Sequence, residues 1–79
     1  MRLTLYARSY CHLCEEMVQA LGPLAAEMGF TVDPIDVDSD PALEARYGEK
    51  VPVLVDADGE EICHFFLDLE ALRRRVAVK

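Results

Sequence analysis

The chain has 79 residues, which is enough for one small domain spanning residues 1–79 and no more. Hydrophobic residues make up 52% of it, so we expect a folded globular protein, while three cysteines are too few for a disulfide-stapled secreted scaffold. The formal net charge of −7 disfavours nucleic-acid binding, which needs a basic surface, and no apolar stretch is long enough to span a membrane.

Two cysteines separate the first two predicted elements. Residues 2–7 predict a strand, and residues 12–28 predict an amphipathic helix that Gly29 ends. The Gly22-Pro23 pair interrupts the helical pattern, and we expect a kink or a brief break there because proline lacks the N–H that would bond to the Gln19 carbonyl. The helix prediction rests on the spacing of the apolar residues Leu13, Met17, Val18, Leu21, Leu24, Ala25 and Met28.

The middle of the chain predicts a strand and a short helix. Residues 30–36 predict the second strand, and Pro34 within it indicates an edge position because proline cannot donate to a neighbouring strand. Asp40-Pro41 is a typical helix start, with the aspartate as N-cap and the proline at the first helical position. The helix is expected to run to Tyr47 and to end at Gly48.

A hairpin and a final helix complete the chain. Residues 51–55 and 60–65 predict two strands joined by a turn at Asp58-Gly59. Residues 67–76 predict the last helix, with an apolar face formed by Leu69, Leu72 and Val76. Strands one and two should be parallel because a helix joins them. The order βαβαββα therefore predicts an α/β fold, with a four-stranded mixed sheet and helices on both faces.

The Cys11-His12-Leu13-Cys14 motif lies where the first strand passes into the helix, which is typical of a redox dithiol. A cysteine at a helix N-terminus faces free N–H groups and the positive end of the helix dipole, and both favour the reactive thiolate. Cys14 lies one turn further on, so it can attack a mixed disulfide formed at Cys11. Two alternatives stay open: a pair of structural thiols, or half of a zinc or iron–sulfur site completed by Cys63 or His64.

With Val51-Pro52 opening the third strand, this motif resembles the thioredoxin superfamily, and the chain is most similar to short glutaredoxin-like proteins. The resemblance implies a thiol–disulfide oxidoreductase that reduces protein disulfides or glutathionylated proteins, with Cys11 as nucleophile and Cys14 as resolving thiol. It implies no bound cofactor and no metal, and regeneration by glutathione or by a thioredoxin-type reductase. The alternative on the same fold is a non-catalytic metal or iron–sulfur carrier, or a partner-docking module.

The resemblance also implies which residues surround the dithiol. Pro52 would be the cis-proline of the superfamily, leaving the backbone of Val51 free to pair with an extended substrate. Arg8 stands where glutaredoxins usually carry a lysine, and it would bind a carboxylate of glutathione, with Arg46 and Lys50 adding to the same anion site. The implied substrate-binding residues are Arg8, Tyr10, His12, Val51 and Pro52.

The sequence departs from glutaredoxins at the predicted fourth strand. Glutaredoxins usually carry a Gly-Gly pair whose N–H groups hold the glutamyl end of glutathione, and here the matching positions are Cys63-His64. We expect Cys63 to be a small buried residue, His64 to be structural, and Phe65 and Phe66 to lie in the core. Between the two redox cysteines, His12-Leu13 replaces the usual Pro-Tyr, and His12 either supports the reactive thiolate when protonated or points to solvent.

Two further expectations concern where and how the protein works. The predicted strand at residues 3–6 occupies the place of an N-terminal targeting signal, so we expect the cytoplasm, where a dithiol is kept reduced unless it is turning over. We also expect a monomer.

Overall fold

Four strands form one mixed sheet in the computed structural model, which describes residues 1–77 of the chain. The elements, in chain order, are β1 (Arg2–Ala7), α1 (His12–Met28), β2 (Thr31–Asp36), a 3-10 helix (Val37–Ser39), α2 (Pro41–Tyr47), β3 (Val53–Val55), β4 (Glu61–His64) and α3 (Leu69–Ala77). The sheet order is β2-β1-β3-β4, with β1 parallel to β2 and antiparallel to β3, and β3 antiparallel to β4. The predicted α/β fold, the parallel pair, the hairpin and the edge position of β2 are therefore confirmed.

Two apolar clusters cover the two faces of the sheet. The larger cluster packs α1 and α3 against the sheet and contains Leu3, Leu5, Met17, Leu21, Phe30, Leu54, Ile62, Cys63, Leu72 and Val76. The smaller cluster lies on the α2 side and contains Val37, Tyr47, Val53 and Val55. Successive residues of β3 thus point to opposite faces, and because helices cover both faces the strand is apolar throughout. Within residues 1–77, none of the helices combines the length and the apolar character that a membrane span requires.

The α1 helix begins and ends where the sequence predicts. Cys11 is its N-cap, and Gly29, with a φ of 76°, is its C-cap and donates its N–H to the Ala25 carbonyl at 2.9 Å. A kink or a brief break was expected at Gly22-Pro23. The helix is continuous through these residues, so there is no break. Gln19 is exposed, so water can satisfy the carbonyl that Pro23 leaves without an N–H partner, and the helix continues.

The short α2 helix and the hairpin turn also follow the sequence signals. The Asp40 carboxylate accepts the N–H of Ala42 at 2.9 Å, with Pro41 in the first turn, and the helix ends before Gly48. In the turn between β3 and β4, Gly59 has a φ of 83° and donates its N–H to the Asp56 carbonyl at 3.0 Å. Both features are local, which is why a few neighbouring residues were enough to predict them.

The ends of the last elements differ from the predictions. Pairing in β4 ends at His64, because Phe65 has a φ of 64° that takes the backbone out of the extended region. The last helix begins two residues later than expected, because the Asp68 carboxylate caps it by accepting the Ala71 N–H at 3.0 Å. Leu69 was expected on the buried face but is 39% exposed, since it occupies the first helical position and the buried contacts begin at Leu72.

Candidate active site

The two cysteines of the motif lie together at the start of α1. Their sulfur atoms are at disulfide-bonding distance, and their Cα atoms are 5.1 Å apart. Cys14 is buried, as predicted, whereas Cys11 is only partly buried and is the sulfur that an incoming disulfide can reach. The pair therefore has the geometry to alternate between a dithiol and an internal disulfide.

The start of α1 places one backbone hydrogen-bond donor against the Cys11 sulfur. The backbone N–H of Cys14 donates to the Cys11 Sγ at 3.2 Å, and the N–H of Glu15 donates to the Cys11 carbonyl at 3.1 Å. When the pair is reduced, the same N–H and the positive end of the helix dipole face the sulfur, and both stabilise a negative charge on it. The local backbone thus supplies what an attacking thiolate needs.

Three strand ends meet beside the dithiol. The antiparallel pairing of Tyr6 with Val53 brings the Val51-Pro52 segment next to the end of β1, and the dithiol follows that end. On the other side of β3, the N–H of Phe65 donates to the Pro52 carbonyl at 3.0 Å. The Val51–Pro52 peptide bond is cis, and Pro52 is buried while Val51 is partly exposed. The predicted substrate-binding residues Val51 and Pro52 therefore lie at the same end of the sheet as the dithiol.

Arg8 is held in place by contacts that the sequence did not indicate. Its guanidinium donates to the Gly48 carbonyl at 3.3 Å and to the Asp38 carboxylate at 3.1 Å. A Cβ on Gly48 would lie 2.5 Å from the Glu44 carbonyl oxygen and 3.0 Å from the Arg8 Nη2, so only glycine fits without a shift. The sequence marked Gly48 only as a helix stop, because the approach of a side chain from 40 residues away leaves no local signal.

Other basic side chains near the site also have carboxylate partners. The exposed His12 ring lies 2.8 Å from Glu16, one turn further along α1. Glu61, which sequence reasoning missed, lies 2.6 Å from His64 and 3.2 Å from Lys50. The hydrogen bond from His64 lowers the pKa of Glu61 below its ordinary value, against the partial burial that raises it, and Lys50 adds to the lowering.

Three exposed aromatic side chains lie close in sequence to the dithiol or to the end of β4. Tyr10 is fully exposed, Phe65 is 40% exposed and Phe66 is 68% exposed. The prediction that Phe65 and Phe66 lie in the core is therefore wrong, because the backbone turns outward where β4 ends. Tyr10 and Phe65 also have positive φ angles of 58° and 64°, a conformation uncommon in any residue other than glycine.

The third cysteine lies apart from the redox pair. Cys63 is free and buried in the larger apolar cluster, as predicted, and burial raises the pKa of its thiol. Its neighbour His64 lies against Glu61 and the edge of the Phe65 ring instead. Among residues 1–77, no three His, Cys, Asp or Glu side chains are grouped closely enough to hold a metal ion.

One family model and several solved structures match this chain. The family described as "Glutaredoxin-like domain (DUF836)" matches residues 2–77. No curated protein matches the chain.

The similar structures include two from bacterial proteins at more than 30% identity. Protein Ne2328 from Nitrosomonas europaea, solved by solution NMR, is 36% identical over 94% of this chain and 88% of its own, with a TM-score of 0.84. Protein XcR50 from X. campestris, also solved in solution, is 39% identical over 100% of this chain and 96% of its own, with a TM-score of 0.75. Thioredoxin 1 from Thermosipho africanus, at 19% identity, covers 99% of this chain and 97% of its own with a TM-score of 0.67, which shows the fold alone.

Proposed function

Since the chain belongs to the glutaredoxin-like domain family, we propose that it is a thiol–disulfide oxidoreductase that works through Cys11 and Cys14. One observation carries the proposal: a cysteine that caps α1 lies at bonding distance from a second, buried cysteine one turn later. This geometry in a thioredoxin-like fold supports a thiol redox role. The proposed substrates are protein disulfides and glutathionylated proteins.

The reaction proceeds by two thiol–disulfide exchanges. The Cys11 thiolate attacks one sulfur of the substrate disulfide, so that a mixed disulfide forms and the other substrate sulfur leaves as a thiolate that takes a proton from water. The Cys14 thiolate then attacks the Cys11 sulfur and releases the second substrate thiol. The substrate disulfide is thereby reduced to two thiols, and the protein dithiol is oxidised to the Cys11–Cys14 disulfide. Glutathione or a thioredoxin-type reductase returns the dithiol, and no bound cofactor is required.

The neighbours of the dithiol would hold the substrate. The partly exposed Val51 offers backbone groups to an extended chain, as an added strand would, while Pro52 lies beneath it. Tyr10 and His12 flank the attacking sulfur in sequence and are exposed. The Arg8 guanidinium already binds the Gly48 carbonyl and Asp38, so a substrate carboxylate would have to share it with Asp38 or displace Asp38. We also propose that the protein acts as a monomer in the cytoplasm, on the grounds of its cysteine usage and small size.

Intact mass spectrometry across a series of glutathione redox buffers, with thiol alkylation, tests the proposed function. The wild type and a Cys63→Ser control should both decrease in mass by two hydrogens as the Cys11–Cys14 disulfide forms. This should happen in one step at a defined glutathione redox potential. The Cys14→Ser variant should accumulate one glutathione adduct, and Cys11→Ser should form no internal disulfide. If the pair stays reduced in every buffer, or if Cys63→Ser abolishes the two-hydrogen step, the proposal is wrong.

A further inference from the structure

We propose that Tyr10, Phe65 and Phe66, the aromatic rim of the dithiol, bind a polypeptide segment that has apolar residues beside its disulfide cysteine and basic residues further out. This inference rests on the proposed function, and it specifies the substrate class. It means that the site favours such protein disulfides over glutathione disulfide.

The strand order puts the rim residues on both sides of Val51-Pro52. β1 and β4 run in the same direction, because each is antiparallel to β3, which lies between them. Their C-terminal ends therefore lie at the same end of the sheet, and they are separated by two strand spacings, or roughly 10 Å. Tyr10 follows β1 and immediately precedes Cys11, whereas Phe65 follows β4 and bonds to the Pro52 carbonyl. A segment bound along Val51-Pro52 would thus pass between the aromatic side chains.

The backbone holds these side chains in solvent at a cost. Phe65 is 40% and Phe66 is 68% exposed, although apolar clusters cover both faces of the sheet nearby. Tyr10 and Phe65 have positive φ angles, in which the Cβ atom crowds the backbone. A residue that combines backbone strain with an exposed aromatic ring gains neither local stability nor burial, and such strain concentrates at binding sites.

The charges around the rim decide between the two kinds of disulfide. Four basic side chains that flank the dithiol, Pro52 or Phe65 lie against carboxylates, in the pairs Arg8–Asp38, His12–Glu16, Lys50–Glu61 and His64–Glu61. The exposed Arg46 of α2 instead lies over the Tyr47 ring, 5.1 Å from its centroid, and has no carboxylate partner among residues 1–77. Within residues 1–77, the nearby exposed carboxylates of Glu15, Glu49 and Asp68 form no ion pair. The surface thus opposes the carboxylates of glutathione and complements lysine or arginine residues of a protein.

Single-turnover oxidation of the fully reduced protein by defined disulfides tests the rim. The probes are oxidised glutathione and the disulfide dimer of a pentapeptide with a central cysteine, a leucine on each side and a lysine at each end. Two further dimers replace the leucines by serines or the lysines by glutamates. The reaction is quenched with acid, followed by intact mass, and each rate constant is divided by that of dithiothreitol with the same disulfide to remove intrinsic reactivity.

We expect the leucine–lysine dimer to react at least about tenfold faster than oxidised glutathione after this correction. The Phe66→Ser rim variant should lose about fivefold of the rate with that dimer, the effect of one aromatic contact, and less than about twofold with oxidised glutathione. The rate with oxidised glutathione also reports that the variant is folded and that its dithiol is intact. Val18→Ser, which removes an exposed apolar residue of α1 one turn beyond Cys14, is the matched control and should leave both rates unchanged.

The possible failures are distinguishable. If no disulfide oxidises the reduced wild type, the proposed function is wrong. If the wild type reacts with all disulfides but shows no preference for leucine and lysine, or if the rim variant slows the peptide and glutathione equally, the proposed function stands and the aromatic rim is wrong. A loss in Val18→Ser as large as that in the rim variant also overturns the assignment to these three residues.

Discussion

Removing the Asp56 carboxylate should destabilise the domain severely, although it lies at the end of the sheet away from the dithiol. Its side chain is 9% exposed and accepts the N–H of Asp58 at 2.9 Å and that of Glu60 at 3.0 Å. It also forms an ion pair with Arg75 of α3. We assign about 1 kcal/mol to each backbone bond and about 2 kcal/mol to the charged one, so Asp56→Ala should cost about 4 kcal/mol.

The Asp56→Asn variant removes the charge of this side chain but can keep its hydrogen bonds to the backbone of the turn. Its amide oxygen can still accept both backbone N–H groups, so only the ion pair is lost, at about 2 kcal/mol. A domain of this size has a free energy of unfolding of roughly 4–12 kcal/mol. In a domain this small, each kcal/mol of destabilisation lowers the Tm by about 4–8 °C. Urea unfolding followed by circular dichroism at pH 7 measures both values. Glu70→Gln, which breaks the exposed Glu70–Arg74 pair of the same helix, is the control and should cost less than about 0.5 kcal/mol.

The stabilisation by the Asp56 carboxylate should depend on pH. Burial acts to raise the pKa of Asp56, but hydrogen bonds from the Glu60 N–H, the Arg75 guanidinium and the Asp58 N–H outweigh it and lower the pKa. A lowered pKa in the folded state stabilises the protein above the unfolded value, about 3.9, and this stability is lost as the pH falls through the folded pKa. The wild type and Asp56→Asn should therefore converge in acid. A loss in Asp56→Asn at pH 7 no larger than in Glu70→Gln would show that the ion pair with Arg75 does not stabilise the domain.

Three further predictions concern single positions. Gly48→Ala should destabilise by about 1–3 kcal/mol in urea because its Cβ would lie 2.5 Å from the Glu44 carbonyl oxygen, and a cost below about 0.5 kcal/mol would contradict this packing. Phe65→Asn should be more stable than Phe65→Ala by about 0.5–1 kcal/mol, because both lose the ring but asparagine tolerates a positive φ, and the reverse order would exclude strain there. Iodoacetamide should modify Cys63 at least about 100-fold more slowly in the reduced native protein than in urea, because burial raises the pKa of its thiol; peptide mass mapping checks this, and similar rates would show that Cys63 is accessible.

The sequence predicts best those features that a few adjacent residues determine. Asp40 and Pro41 start α2 through a side-chain cap and a fixed φ, and Gly29 ends α1 in a conformation that suits glycine. The dithiol belongs to the same class, since Cys11 and Cys14 need only a helix start to come together. The parallel β1–β2 pair and the β3–β4 hairpin followed from connection lengths, without knowledge of any side-chain contact.

The features that the sequence could not predict depend on residues far apart in the chain. Arg8 meets Asp38 and Gly48 only because α2 packs on the side of the sheet where β1 ends. The apolar character of Phe65 and Phe66 indicated burial, but their exposure depends on how the backbone turns at the end of β4. The sequence therefore identified Cys11 and Cys14 and the Val51-Pro52 segment beside them, but it missed the partners of Arg8 and the exposure of Phe65 and Phe66.

The unequal covering of the sheet has a consequence for how the domain opens. On one side α1 and α3 enclose the larger cluster, whereas the seven-residue α2 helix covers only Val37, Tyr47, Val53 and Val55. Local opening should therefore begin on the α2 side, where amide hydrogens should exchange with solvent before those of α1. Arg8 ties the loop in front of the dithiol to Gly48 on that side, so each such opening also frees the loop. The loop of residues 8–10 is therefore stabilised by contacts on the α2 side, which opens more easily. The α1 helix, which begins at the dithiol, is instead stabilised by the larger apolar cluster.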